Sequence, residues 1–141
     1  MNPIPEQMLH FLQSNKVCTL CFVTETGEPY CINCFYAFLK EEAVFIFKSG
    51  KGTQHDRYIQ TMRKTSGTVL ADTLDVLHIK GIQFSGEMMD SQQAASFSSR
   101  YIHKFPFSIT HPGYYWAIHI QAMKYTDRQL GFGKKILWQR V

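Results

Sequence analysis

Between residues 17 and 48 three apolar runs alternate with two short polar turns, and this spacing dictates an antiparallel meander. Residues 17–24 (VCTLCFVT) and 29–39 (PYCINCFYAFL) flank Thr26-Gly27-Glu28, and Lys40-Glu41-Glu42 leads into a third run over 43–48. Val, Ile, Phe and Tyr dominate all three, the residues that fit a pleated, half-buried surface. Further strands are expected at 67–72, 76–89, 115–123 and 132–140, with Gly81 and Gly86 marking bends or bulges in the long one. Helices are expected at 5–14, 53–64 and 91–103, separated by loops such as 104–113 with its two prolines. About seven strands and three scattered helices indicate a mainly β, α+β chain whose sheet closes wholly or partly into a barrel. No internal repeat or linker divides it, so residues 1–141 read as one domain.

Composition narrows the classes. Hydrophobic residues at 45% and charged residues at 18% exclude a disordered chain, and the length supports a core without disulfide staples. The net charge of +4 is dispersed, apart from Lys48/Lys51, Arg63/Lys64 and Lys134/Lys135, and fits an anionic small molecule better than nucleic acid. No stretch has the apolar length of a membrane span, and the first six residues do not resemble a secretory leader, so a cytoplasmic location is expected.

Cys18-x-x-Cys21 and Cys31-x-x-Cys34 have the spacing of a zinc knuckle. Both pairs, however, sit inside runs that read as strands. Positions three apart on a strand point to opposite faces, so neither pair can converge on one metal, and no metal site is expected. The cysteines read as small buried hydrophobes, with a redox disulfide as the alternative.

The segment 43–57, AVFIFKSGKGTQHDR, carries the clearest chemistry. A strand runs through a basic, glycine-bearing turn into a helix start with Thr53 as N-cap. Free N–H groups, the helix dipole and nearby lysines favour an anion there. An ordinary capped helix after a lysine-containing turn is the alternative. The G-x-x-x-x-G-K-[ST] loop is absent, because no glycine stands at the required position before Gly50-Lys51. Elsewhere, Asn33 on an apolar strand must either bond backbone or meet a polar ligand edge. His78 and His119 read as structural histidines in strands, and Trp116, Trp138 and Phe132 as core or interface rather than stacking groups.

Glu28-Pro29-Tyr30 with the following strand, the strand–turn–helix of 44–57, Lys80-Gly81-Ile82-Gln83-Phe84-Ser85-Gly86, and Thr126-Asp127 through Leu130-Gly131-Phe132-Gly133-Lys134-Lys135 to Trp138 together resemble the pyridoxamine 5′-phosphate oxidase-like superfamily. The chain is most similar to a small bacterial branch of it. The resemblance implies an antiparallel six-stranded split β-barrel of the FMN-binding type, assembled as a homodimer with FMN at the subunit interface. It implies that the flavin ring lies along Ile32, Asn33, Cys34 and Phe35, that Lys48, Ser49, Thr53, Gln54 and His55 hold the phosphate, and that Lys80 and Gly81 approach the cofactor. An FMN-dependent oxidoreductase acting on a small molecule or nicotinamide is the implied activity. A non-enzymatic flavin or flat-ligand sensor is the alternative, and a nucleic-acid-binding barrel a third. Thr53-Gln54-His55 replaces the usual Ser-Arg-Lys, Lys80-Gly81 replaces Arg-Gln, and the C-terminal Arg-x-His signature is missing, which argues against pyridoxamine phosphate itself as substrate.

Overall fold

A computed structural model describes residues 1–50, 58–59, 63–128 and 135–141. The meander forms as the sequence indicates: β1 (Val17–Val23), β2 (Pro29–Leu39) and β3 (Val44–Gly50) pair in antiparallel register, with Leu20 opposite Ile32 and Ala37 opposite Ile46. β4 (Lys64–Leu70), β5 (Lys80–Met88), β6 (Gly113–Asp127) and β7 (Lys135–Gln139) complete a sheet of order β3-β2-β1-β4-β5-β6-β7. Pairing of β3 with β6 closes β1 to β6 into a six-stranded antiparallel barrel and leaves β7 as an added strand. The expected split-barrel, α+β architecture is therefore present.

Strand alternation separates two apolar layers. Cys18, Leu20, Phe22, Tyr36, Phe45, Phe47, Ile82, Phe84 and Ile118 fill the barrel. The helix α1 (Glu6–Ser14) stoppers one end by adding Met8, Phe11 and Leu12 to that core. Asn15 fixes the stopper: its amide nitrogen donates to the Phe11 carbonyl at 2.8 Å, and its oxygen accepts from the Asp72 N–H at 2.7 Å. The Tyr36 hydroxyl adds a bond to the Leu12 carbonyl at 2.7 Å. Outside the barrel, α2 (Ser91–Ser96), α3 (Ser98–Lys104) and a 3₁₀ turn (Pro106–Thr110) lie over β2, β3 and β6. They cover Ala37, Leu39, Val44, Ile46 and Ala117 with Ala94, Tyr101 and Phe105.

Several boundaries differ from the sequence reading. β4 begins at Lys64, within the expected helix of 53–64, because buried Thr65 and exposed Lys64 and Ser66 already alternate as a strand. Residues 76–79 form no strand: Asp75 accepts from the Leu77 N–H at 3.0 Å, an Asx-type turn that outweighs β propensity and leaves Val76 91% exposed. His78 is consequently not a strand histidine; it lies exposed, 2.8 Å from Asp75 Oδ2, and this bond holds the Asp75 carboxyl below its ordinary pKa. The third helix breaks at Phe97 among serines, which favour helix ends over interiors. The bulge foreseen at Gly86 is present between Ser85 and Gly86, while Gly81 pairs regularly.

Gly67 faces the barrel interior, where an added Cβ would meet the Thr19 carbonyl and lie 2.5 Å from Phe84 Cζ. Gly67→Ala is therefore expected to cost about 1–3 kcal/mol through overpacking, read as a lowered urea midpoint with an unchanged m-value. An unchanged midpoint would mean that the Phe84 ring is not held against this strand.

Candidate functional site

Helices cover one half of the barrel's outer wall and not the other. On β1, β2, β4 and β5 the outward positions carry short or uncharged polar groups: Thr19, Asn33, Ser66, Thr68, Gln83 and Ser85. Large apolar side chains stand between them, with Val17 39%, Phe35 42%, Leu70 47% and Leu137 70% exposed. A groove of about 440 Å³ crosses this wall, lined by Thr19, Thr68, Gly81, Gln83, Thr126 and three cations, Lys80, Lys124 and Lys135. A neighbouring depression of about 530 Å³ shares Gln83 and Lys124 and continues over β6 and β7 to Leu137 and Gln139.

The resemblance-derived site residues divide three ways. Asn33 and Phe35 face outward, whereas Ile32 and Cys34 turn inward against the core. The Thr19 hydroxyl donates to Asn33 Oδ1 at 2.7 Å, which fixes the amide with its nitrogen as the remaining donor. Asn33 thus bonds a neighbouring side chain rather than backbone. Lys80 and Gly81 join Thr19 in the groove, and Lys80 Nζ lies 3.9 Å from Asp127 Oδ2. Gly81 carries no side chain over the groove floor, and an added Cβ there would lie 3.2 Å from the Val69 carbonyl.

Lys48 and Ser49 lie elsewhere. Lys48 Nζ donates to the Ser108 carbonyl at 2.7 Å and sits 5.1 Å from the Tyr115 ring centroid, beneath the 3₁₀ turn. Ser49 is buried and accepts from the Trp116 indole at 2.7 Å. Thr53, Gln54 and His55 fall outside the described residues. The helical pair Tyr58 and Ile59 packs near the hairpin end of the barrel, where Tyr58 meets Tyr30 at 5.1 Å.

Buried titrating groups belong to the scaffold. Burial pushes the Tyr36 hydroxyl well above its ordinary pKa, and burial pulls Lys104 down to about 8. Lys104 Nζ lies 4.3 Å from the Tyr36 ring centroid and donates to the Asn15 carbonyl at 2.6 Å, tying α3 to α1. His119 is half-buried, with Nδ1 3.0 Å from the Gln121 amide, and holds the structural role expected of it.

The sequence reading missed Thr19, Thr68, Gln83, Lys124 and Lys135. A signal existed: mid-strand outward positions of β1, β4 and β5 include Thr19, Ser66, Thr68, Gln83 and Ser85, with Lys64 and Glu87 confined to one end. What could not be seen was which strands become neighbours, because β1 pairs with β4 across more than forty residues.

Comparison with known structures places this geometry in a class. The fold matches a heme-binding protein from Mycobacterium smegmatis with TM-score 0.76 at 15% identity, over 99% of this chain and 59% of the longer neighbour. It matches a FAD-binding protein from Mesorhizobium loti with TM-score 0.66 at 15% identity, over 88% and 95% of the two chains. A Clostridium acetobutylicum protein related to general stress protein 26, of the pyridoxinephosphate oxidase family, gives TM-score 0.62 at 14% identity, over 94% and 92%. The chain is a split-barrel protein of the pyridoxamine 5′-phosphate oxidase-like fold.

No family model matches it. It is 38% identical over 138 residues to the UPF0306 protein plu4501 of Photorhabdus laumondii, covering 95% of each chain, and 33% identical over 133 residues to a UPF0306 protein of an Enterobacter species, covering 93% of each. The chain belongs to the UPF0306 family.

Lys48→Ala removes a charged hydrogen bond between β3 and the 3₁₀ turn and is expected to cost about 1.5–3 kcal/mol in chemical denaturation. A variant as stable as the parent would show that the Ser108 contact contributes nothing.

Proposed function

We propose that the open wall binds FMN and that a second copy of the chain covers it, making the protein a homodimeric flavin-dependent oxidoreductase. The observation that carries this reading is the uncovered half of the barrel, polar and shallow at Thr19, Thr68, Gly81 and Gln83 and cationic at Lys80, Lys124 and Lys135. Those residues fit the group. A flat ring needs a floor of short side chains, and its pyrimidine edge needs amide and hydroxyl partners such as Asn33, Thr19 and Gln83. Asn33 and Lys80 would hold the ring, and the phosphate anchor read at Thr53, Gln54 and His55 falls outside the described residues. When bound, FMN supplies the redox chemistry. The chain's own residues hold and orient the ring, and the lysines attract an anionic substrate or stabilise negative charge on the reduced cofactor. The exposed Val17, Phe35, Leu70 and Leu137 give the second copy apolar surface to bury and exclude water from the site.

Heme is a second reading, favoured by the M. smegmatis neighbour's description as a heme-binding protein. The groove lining holds no His, Cys, Met or Tyr to ligate iron among the described residues, so flavin is the better fit.

Titration with FMN and with riboflavin, followed by flavin fluorescence, tests the reading. The native chain is expected to hold FMN about ten- to a hundredfold more tightly, because phosphate hydrogen bonds are charge-assisted at about 1.5–3 kcal/mol. Thr19→Tyr, which fills the groove floor, is expected to abolish binding of both. Undiminished binding by that variant, or no binding by the native chain, would overturn the proposal.

A further inference from the structure

The four cysteines form two cross-strand pairs, Cys18 opposite Cys34 and Cys21 opposite Cys31. The first pair points into the barrel, where its sulfurs are 3.6 Å apart. There the neighbouring Cys18 thiol and burial together push the Cys34 thiol well above its ordinary pKa. The second pair points outward, with sulfurs 3.1 Å apart and Cys31 exposed. It therefore departs from the reading of all four as buried hydrophobes.

Backbone geometry admits a disulfide at either pair. The Tyr36 N–H bonds the Lys16 carbonyl at 3.0 Å, and the Thr24 N–H bonds the Glu28 carbonyl at 2.8 Å. In the unbroken register between these two points, Cys18 and Cys34 occupy a hydrogen-bonded pair. Cys21 and Cys31 occupy a non-hydrogen-bonded one. Directly opposite residues have Cα atoms about 4.5–5.5 Å apart in either kind of pair, within the roughly 4.4–6.8 Å span of a disulfide, so the exposure of Cys31 is what singles out the second pair. The sulfurs, 3.1 Å apart, need to close by about 1 Å for the bond to form.

We propose that Cys21 and Cys31 form a redox-active dithiol that closes to a disulfide by exchange with a low-molecular-weight disulfide such as oxidised glutathione. Cys31, the exposed member, loses its proton to solvent and attacks one glutathione sulfur. The glutathione S–S bond breaks, a mixed disulfide forms on Cys31, and the first glutathione leaves, taking up a proton. Cys21 then loses its proton and attacks Cys31 Sγ, and the second glutathione leaves as a thiol. Two protein thiols are oxidised by two electrons, and one glutathione disulfide is reduced to two thiols. Burial and the adjacent Cys31 raise the Cys21 thiol to about 11, so little Cys21 thiolate is present near neutral pH and the second step relies on the 3.1 Å proximity of the two sulfurs. The bond staples the β1–β2 hairpin one pleat beyond Thr19 and Asn33. The pair shares the outward face of Thr19 and Asn33, so the exchange requires that Cys31 stay reachable by glutathione at the edge of the wall proposed to hold the flavin.

The test uses Cys18→Ala/Cys34→Ala, which retains the outer pair alone, treated with excess oxidised glutathione. Both remaining thiols are expected to disappear, with a mass lower by two hydrogens and no glutathionyl group. Cys21→Ser is expected to stop at one glutathionyl group on Cys31. If the double variant does not fold, the native chain is oxidised, cleaved after Glu25 and Glu28, and sequenced by mass spectrometry for a Cys21–Cys31 link. Two persistent thiols, a stable glutathionyl adduct on Cys31 with Cys21 present, or a link through Cys18 and Cys34 would overturn the proposal.

Discussion

The fold depends on a double pairing at Ile118 and His119. Ile118 stands opposite Phe45 of β3 and Met88 of β5, and His119 opposite Val44 and Glu87. β6 therefore belongs to both sides of the sheet at once, and this is what turns an open meander into a barrel. The bulge at Ser85/Gly86 permits it. A Cβ on Gly86 would lie 2.5 Å from the His119 carbonyl oxygen and 2.8 Å from Ile118 Cγ2, so β5 approaches β6 closely enough only with glycine there. Arg140 secures the same corner, donating from Nη2 to the Glu42 and Ala43 carbonyls at 2.9 Å and from Nε to the Ile120 carbonyl at 2.7 Å.

Closure creates an asymmetry on which the proposed site rests. The chain between β5 and β6 supplies helices that cover β2, β3 and β6, and it leaves the wall of β1, β4 and β5 bare. Aromatic side chains such as Tyr36, Phe45 and Phe84 pack into the barrel interior. On the outside the pleat presents Thr, Asn, Gln and Cys in alternation with the core.

The meander, the stopper helix and the Gly86 bulge were legible because local apolar pattern and turn residues decide them. Residues 76–79 were misread because β-branched Val76 and Ile79 look like strand, whereas the Asp75 side chain selects a turn. The residues of the candidate groove were legible in part. Asn33, Lys80 and Gly81 lie on or beside the open wall. Lys48 and Ser49, read as anion ligands from their place in a basic turn, have bonds to Ser108 and Trp116 that only tertiary structure discloses. Thr19, Gln83 and Lys124 escaped because their meeting depends on strand order, which no local signal encodes. The opposition of the cysteines was inferred correctly within each C-x-x-C, yet their pairing across β1 and β2 required the register.

The central claim is that the bare wall is an interface built to hold a cofactor. Light scattering on the chain and on Leu70→Asp, which places a carboxylate on that wall at the end of β4 beside the groove, tests it most directly. The account requires twice 16.4 kDa for the native chain and a folded monomer for Leu70→Asp. A native monomer, or a Leu70→Asp protein that stays dimeric, would contradict it.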